Sequence, residues 1–486
     1  MTLLVPNSPL RRLRKWLDRF PAPEGGLFLV GGGVRDLVLG RPIRDLDLVC
    51  RGAANFSARI AAGPGTRLVP LGHDHDPPSY RVVFRDDLAK ELNIPSNFLD
   101  ITEIHGRDII DDLQRRDFTV NAMALELNSF SATRTHLPNM IDPHGGLADL
   151  RGGLVRHTGP LTIAQDPVRI LRGFRLRAQL GWRIDPATFA DFADHASALS
   201  AIAAERINLE LRLILECPCG GNLLPELDRA GVLPVLFPEI EAMRGCSQNH
   251  FHHLDVLGHS LFAVEQLEIC LAGLETLFGP QHEQVRQNLS AWRLPWLKLA
   301  VFLHDVGKPQ SRGRNPSTGR TTFYGHDALG AEKAHAIAGR LRLSAAERDY
   351  IASLIRHHMH IGTLLRPEAK KKARLRWMRR LGSDLIPATL LCLADIRATL
   401  GPGSLLQDRR DQEKQSINLV SEYLEEAQTT LTASPLLTGR DLLALGMIPG
   451  PALGRTLKLL QEAQDSGEIT NREQAVKMAR ELIQTE

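Results

Sequence analysis

Gly31-Gly32-Gly33-Val34-Arg35-Asp36, then Gly40-Arg41, then Arg44-Asp45-Leu46-Asp47 is the stretch on which the reading of this chain turns. The apolar run Leu27-Phe28-Leu29-Val30 ahead of it reads as a strand, and Val34 to Leu39 as a short helix. In extended chain, alternate residues share a face. Asp45 and Asp47 therefore aim two carboxylates at one point, while Leu46 and Leu48 face a core. Such a pair repels itself unless a cation lies between the acids. Hard oxygen ligands favour Mg²⁺, which leaves room for water and phosphate oxygens. A site of this kind activates a hydroxyl and neutralises a triphosphate in an in-line displacement. The glycines allow backbone N–H groups to approach phosphates. A bare Asp-x-Asp is usually a solvated surface turn, so the glycine turn and Arg35-Asp36 upstream carry the weight. No Gly-Lys-Ser/Thr follows, which excludes a Walker loop, and the third glycine of a dinucleotide fingerprint is absent.

Working outward, Leu46 to Val49, Tyr80 to Phe84 and Phe98 to Ile101 read as further strands. From Ala164 onward the periodicity is helical almost throughout, as with Ile170, Leu171, Phe174 and Ala178. The expected fold class is α+β, a small α/β head followed by a long all-α body. At 486 residues the chain should hold several domains. The expected divisions are 1–150, 151–245, 246–400 and 401–486. The composition, 43% hydrophobic and 24% charged, is that of an ordinary globular protein, and no apolar run suits a bilayer. Arg11, Arg12, Arg14 and Lys15 are not followed by an apolar segment, so no secretory signal and a cytoplasmic location are expected. The six cysteines are scattered, and Cys217-Pro-Cys219 lacks a second pair for zinc. A net charge of +3 permits a nucleic-acid partner without demanding one.

Several segments together carry a resemblance. Gly32-Gly33-Val34-Arg35-Asp36 through Asp45-Leu46-Asp47 resembles the catalytic signature of class II tRNA nucleotidyltransferases (CCA-adding enzymes) and bacterial poly(A) polymerases. Arg115-Arg116-Asp117-Phe118-Thr119-Val120-Asn121 resembles their ribose and triphosphate segment, and Asp142-Pro143 with Gly145-Gly146 their hinge turn. Asp166-Pro167-Val168-Arg169-Ile170-Leu171-Arg172 resembles the helix that selects the incoming base, with Gln165 where the family usually has an acid. Glu205-Arg206 with Glu210-Leu211, and Gly446 with Pro449-Gly450-Pro451 and Gly454, extend the match over nearly the whole chain.

The resemblance implies a polymerase-β-like head that adds CMP and/or AMP from CTP and/or ATP to the 3′ end of tRNA or another RNA, with Mg²⁺. It implies catalytic Asp45 and Asp47, and nucleotide contacts at Gly32, Gly33, Arg35, Arg116, Asp117, Asn121, Asp166, Arg169 and Arg172. Asp166 suits an exocyclic amine and Arg169 a ring nitrogen or carbonyl, so the pair can address one base edge. Asp100 on a neighbouring strand is the candidate third carboxylate, with Asp112 the alternative. Only Glu103 to Asp111 separate that strand from the Asp112-Leu113 segment, where full CCA-adding relatives carry a long flexible loop. The shortened connection points to CC addition, A addition or poly(A) synthesis, with a partner nucleotidyltransferase completing CCA.

Eleven of the 18 histidines fall between His250 and His360. His259, His304-Asp305 and Asp395 form the order His … His-Asp … Asp, which resembles the HD phosphohydrolase domain. Imidazole with carboxylate suits Mn, Ni, Fe or Zn. Adjacent His304 and Asp305 both face inward only at a helix end, and Gly307 and Pro309 supply one. Lys308 is placed for a phosphate, and His326 and His357 are candidates for a second metal. Lys370, Lys371, Lys372, Arg374 and Arg376 with Trp377 interleaved form a candidate RNA-binding stretch. The competing readings are an enzyme whose main reaction is HD hydrolysis, with a vestigial head, and a non-catalytic RNA-binding protein.

Overall fold

A computed structural model describes residues 9–43, 45–71, 77–94, 96–127, 140–289, 292–366, 369–428, 434–465 and 467–485. Arg44 of the quoted motif lies outside the described residues. The chain divides into two compact units, one of residues 1–202 with 230–232, the other of residues 203–229 with 233–486.

The first unit is built on a seven-stranded sheet. Its strands are β1 (Leu27–Val30), β2 (Asp47–Cys50), β3 (Thr66–Pro70), β4 (Ser79–Phe84), β5 (Phe98–Glu103), β6 (Ala124–Glu126) and β7 (Met140–Ile141), in the order β3-β4-β5-β2-β1-β6-β7. The β2–β5 pair is parallel, whereas β1–β2 and β4–β5 are antiparallel. Phe28, Val30, Val49 and Ala124 meet Ile109 and Leu113 of the helix Ile109–Gln114 in a buried cluster. That cluster covers one face of the sheet and holds the strand ends that carry the acids. Strands β4, β5, β2 and β1 match the apolar runs; β6 and the edge strands β3 and β7 were not anticipated.

The helix Arg169–Leu180 belongs to the same unit. A Cβ on Gly173 would lie 2.5 Å from Phe192 and 2.9 Å from Phe118. Only glycine lets this helix sit so close to Phe118, and the approach brings Arg172 to Asp117.

The second unit is helical. Val256–Ala272, Arg293–Leu303, His326–Arg340, Ala345–Leu364 and Leu385–Ala398 surround a polar centre, and a separate apolar cluster of Leu442, Leu460, Ala463 and Ala475 ties the last helices together. An ion pair is buried in the bundle. Lys298 donates to Glu268 at 2.9 Å and to the Cys217 carbonyl at 2.9 Å, and Glu268 accepts from the Gly221 amide at 2.6 Å. Removing one partner leaves the other charged in a dry site, which costs about 3–5 kcal/mol. Lys298→Ala should lower unfolding stability in urea by that order, whereas Lys298→Met combined with Glu268→Leu should recover most of it. A single-variant loss below 1 kcal/mol would show that the pair does not hold the 217–221 turn.

Candidate active site and metal centre

Asp47 opens β2 and pairs in register with Val30 of β1 and Asp100 of β5. Asp45 is exposed and lies two residues before the strand rather than on it. The expected alternation still holds, with Leu46 and Leu48 at 1% and 0% exposure. Burial, and then the negative charges of Asp100 and Asp45, push the Asp47 carboxyl up to about 6 against the pull of Arg116 and Arg81. Three acids thus crowd one strand end, at a cost that a cation would relieve.

Arg81 of β4, not singled out from the sequence, stands opposite Asp100. Its Nε and Nη2 each donate to that carboxylate at 2.8 Å, and its guanidinium lies 3.8 Å from the Phe98 ring centroid. Asp100 is therefore beside Asp47 but bound bidentately to an arginine. Asp112 does different work: it holds Arg116 at 3.1 Å. A Cβ on Gly31, whose φ is +71°, would lie 3.2 Å from Arg116 Nη1 and 3.6 Å from Asp47 Oδ2. Gly31 thus makes room for a guanidinium beside Asp47. Gly32 and Gly33 begin the helix Gly32–Val38, and a Cβ on Gly33 would meet the Asp45 carbonyl at 3.2 Å.

The remaining nucleotide candidates form a chain. Arg35 grips Asp36 through Nε at 3.0 Å and donates to Asn121 Oδ1 at 2.9 Å. Asn121 in turn donates to Asp117 at 3.3 Å. Asp117 also accepts from the Phe118 amide and from Arg172 Nε, each at 2.8 Å. Burial alone would raise the Asp117 carboxyl, but the Arg172 charge and hydrogen bonds hold it below the usual range. Arg35 is thus engaged in positioning rather than turned out as an open cation. The spacing of Asp166 and Arg169 suggests a pair three apart on one helix, but the two do not share a helix. Pro167 disfavours helical backbone in the residue before it, so Asp166 is extended (φ −150°, ψ 92°) and the helix begins at Arg169. The Arg169 guanidinium donates to the carbonyls of Thr162 and Arg115 at 3.1 and 3.2 Å.

In the second unit, the helix Arg293–Leu303 ends at His304. A Cβ on Gly307 would lie 2.3 Å from the His326 carbonyl, so glycine lets the His304–Lys308 turn press against the helix His326–Arg340. His259 Nε2 lies 2.9 Å from Asp395 Oδ1, and His304 Nε2 lies 3.2 Å from Asp305 Oδ2. His326 Nε2 is 3.6 Å from Asp305 Oδ1 and 3.3 Å from His358 Nε2. His304, His326 and His358 pair their Nδ1 atoms with the carbonyls of Val301, Phe323 and Ile355 at 2.8, 2.7 and 2.6 Å. Such bonds fix ring orientation and turn every Nε2 to the centre. Both Asp305 oxygens and His304 Nε2 are buried without a hydrogen-bond partner. Three groups with ligand atoms inside 4.8 Å result: His252–His259–Asp395, His259–His304–Asp305, and Asp305–His326–His358. These residues fit one or two divalent ions. Lys308 forms an ion pair with Asp305 at the edge of the cluster, with Nζ 2.7 Å from Oδ2.

Two corrections follow. The histidine beside His326 is His358, not His357. Ile351, Leu354, Ile355, His358 and Ile361 form the buried stripe of their helix, so the spacing already favoured His358. His357 instead meets Trp377, with ring centroids 5.2 Å apart. His252, which sequence reasoning missed, joins the cluster; burial pulls its ring down to about 3, the neutral form that ligates. In the basic stretch Lys370, Lys371, Lys372 and Arg376 are exposed. Lys371, Lys372 and Arg374 pair with Glu426, Glu468 and Glu422 at 3.2, 3.9 and 3.2 Å. Trp377 carries Arg380 over its ring at 4.7 Å.

Three family models match the chain: the poly A polymerase head domain at residues 79–156, the probable RNA and SrmB-binding site of polymerase A at 181–244, and the HD domain at 290–400. An A-adding tRNA nucleotidyltransferase of Deinococcus radiodurans is 32% identical over 470 residues, 96% of each chain. The chain belongs to the tRNA nucleotidyltransferase and poly(A) polymerase family, in its HD-containing form. Among tRNA nucleotidyltransferases, a CC-adding enzyme of Thermus thermophilus is 33% identical over 457 residues, 92% of each chain. The family fold is seen in the Thermotoga maritima CCA-adding enzyme complexed with tRNA, which aligns with a TM-score of 0.63 at 21% identity over 99% of this chain and 97% of that one. A CCA-adding enzyme complexed with ATP gives 0.64 at 21% identity over 100% and 97%. The expected α+β architecture is therefore borne out.

Proposed function

We propose that the chain is a template-independent RNA 3′-end nucleotidyltransferase that adds CMP and/or AMP to tRNA. The observation that carries this is the meeting of Asp45, Asp47 and Asp100 at one strand end, with a charge cost that raises Asp47 to about 6. The RNA 3′-oxygen bonds to the α-phosphorus of CTP or ATP, and pyrophosphate leaves. Asp45 and Asp47, with Asp100 once Arg81 releases it, would hold Mg²⁺, which supplies Lewis-acid activation of the hydroxyl and neutralises the triphosphate. Arg116, held by Asp112 beside Asp47, is placed for a phosphate oxygen. The Asp117–Arg172 pair, with Asn121 and Arg35, positions the ribose side of the pocket. Asp166 and Arg169 address the base edge. Functionally the chain divides into a head (1–150), a neck (151–245), an HD segment (246–400) and a C-terminal segment (401–486), and it works in the cytoplasm. Lys370, Lys371, Lys372, Arg374 and Arg376 with Trp377 are the proposed RNA-facing stretch.

Product choice follows from loop length. Cytosine and adenine differ in size and edge pattern, so switching between them needs two pocket arrangements. The short Glu103–Asp111 connection, tied by Asp108 to the Ile110 and Asp111 amides, leaves little chain to reshape the pocket. The enzyme is expected to add one nucleotide type well and to rely on a partner for the rest. Labelled tRNA lacking CCA, and tRNA ending in CC, each given CTP, ATP or both, decides the point. An efficient complete CCA end made by this protein alone would rule out the loop argument. Incorporation into non-tRNA substrates at equal rate would favour a poly(A) polymerase.

A second activity is supported by the donor groups that meet around the buried Asp305. We propose that His259, His304, Asp305 and Asp395 hold a transition metal (Mn, Ni, Fe or Zn), with His252, His326 and His358 extending the site. The activity is hydrolysis of terminal RNA phosphate esters: a water oxygen bonds to phosphorus, the ester P–O bond breaks, and the leaving oxygen takes a proton. Lys308 is placed to hold a phosphate oxygen.

A further inference from the structure

Arg81, Asp100 and Asp47 stand opposite one another on three adjacent strands, β4, β5 and β2. Residues paired across strands share a face of the sheet, so a guanidinium lies in the same row as the acids. It is held on two sides. Nε and Nη2 fork onto both oxygens of Asp100, each at 2.8 Å. The guanidinium carbon lies 3.8 Å from the ring centroid of Phe98, two residues before Asp100 on the same strand and the same face. Its outer nitrogen, Nη1, has no protein acceptor among the described residues, and the side chain is 34% exposed. The hydrogen bond to Asp100, and then the charges of Asp100, Asp45 and Asp47, hold Arg81 above its usual range. The guanidinium thus answers to all three acids. It already does for Asp100 what a metal ion would do, neutralising the carboxylate and engaging both oxygens. A carboxylate forked in this way has committed its best-directed lone pairs, and a second cation beside the guanidinium is repelled.

We propose that Arg81 is an internal counter-cation that bars a free divalent ion from Asp100 and releases the carboxylate only when a nucleoside triphosphate offers the guanidinium another acceptor. This rests on the reading of Asp45, Asp47 and Asp100 as the metal-holding acids, and adds that metal and nucleotide depend on each other to bind. The exchange suits the chemistry of the group, because a fork that fits a carboxylate also fits a phosphate. Nη1, already turned from Asp100, is the nitrogen free to meet the phosphate first. The Phe98 face supports the guanidinium whichever anion it holds. Free metal therefore binds the head weakly, and nucleotide and metal strengthen each other by one common factor. A cross-strand pair that served the sheet alone would produce no such coupling.

The test titrates full-length protein with Mn²⁺ in the absence of nucleotide and reads the free ion by electron paramagnetic resonance. The head's share is the part that a further Asp47→Asn change removes, which sets aside ions held by the helical unit. Arg81→Met keeps an apolar stem against Phe98 and drops the charge. It should tighten the head's share at least about tenfold, because like charges a few ångströms apart oppose each other by that much or more. Arg81→Lys keeps the charge and should stay within about threefold of the wild type. At saturating Mg²⁺, the nucleotide KM for incorporation should rise about tenfold in Arg81→Met, as loss of a charge-assisted bond to phosphate does. Unchanged Mn²⁺ affinity in Arg81→Met would overturn the proposal while leaving the acids as the metal site. Tightening by Arg81→Lys equal to that by Arg81→Met would assign the effect to lost packing and overturn it as well. Tighter Mn²⁺ with an unchanged KM would refute the passage of the guanidinium to the triphosphate. If Asp47→Asn removes no Mn²⁺ from the wild type or from Arg81→Met, the acids do not hold a metal, and the proposal falls with that reading.

Discussion

Replacing Asp47 by asparagine is expected to lower nucleotide incorporation by about a thousandfold or more, while metal-free protein gains stability near neutral pH. The first effect follows because the metal-binding carboxylate supplies several kcal/mol to the transition state, and each 1.36 kcal/mol is tenfold in rate. The second follows from the sign of the pKa shift. Asp47 is raised from 3.8 to about 6, so the folded state holds a proton more tightly than the unfolded chain. The native state is favoured below about pH 4, and that advantage is lost as pH climbs toward 6. Above 6 the charged carboxylate costs about 3 kcal/mol in the absence of metal, and asparagine avoids it. Thermal unfolding in chelator at pH 8 should therefore rank Asp47→Asn above the wild type, and at pH 4 the two should coincide. Asp45→Ala should share the loss of incorporation; being exposed, it should leave stability unchanged. Normal incorporation by both variants would remove the acids from the reaction.

Asp305→Asn should strip the metal from the helical unit while the head continues to add nucleotides. Asp305 belongs to two of the three donor groups, and its buried carboxylate makes an ion pair with Lys308 at 2.7 Å. An amide offers one neutral oxygen in place of two charged ones, so retention should fall at least about tenfold, as losses around metal sites generally do. His304→Ala should act likewise. Elemental analysis of the full chain after loading with Mn²⁺ and dialysis reads the first effect; incorporation into tRNA reads the second. Equal metal content in wild type and both variants would show that the cluster is held by its own hydrogen bonds and not by an ion.

Much of this was legible in the sequence because it depends on short-range periodicity. The runs 27–30 and 98–101 are apolar enough to read as strands, and the Asp45/Asp47 alternation depends only on extended backbone. The His-Asp pair at a helix end needed only Gly307 and Pro309. What escaped depended on partners far away in the chain. Arg81 is unremarkable in sequence and becomes significant only because β4 pairs with β5 and sets it opposite Asp100. β3, half-exposed along its length, lacks the apolar run that would announce it. His252 precedes its neighbouring helix, so no helical phase pointed it at the cluster. The choice of His357 over His358 is different: the apolar stripe at 351, 354, 355 and 361 already held the answer. In the basic stretch, charge density could not announce the glutamates, some 50 to 100 residues further on, that pair with Lys371, Lys372 and Arg374.

The parallel register of β2 and β5, which sets Asp47 directly against Asp100, has a bearing on how this enzyme tolerates change in length. Residues 51–97 leave one strand and return to the other, so the chain between the two acids is a closed excursion with both ends pinned by the ladder. Insertions or deletions at the turns within it, such as 62–65 or 85, can be absorbed without moving either carboxylate. A single residue added inside 98–100 has no such outlet, because side chains alternate with a period of two. It would turn Asp100 toward the core and Leu99 toward the acids. Lineages descended from such a chain can therefore diversify the turns of the excursion, while the residues of the ladder, Arg81 of β4 among them, stay locked in count as well as in kind.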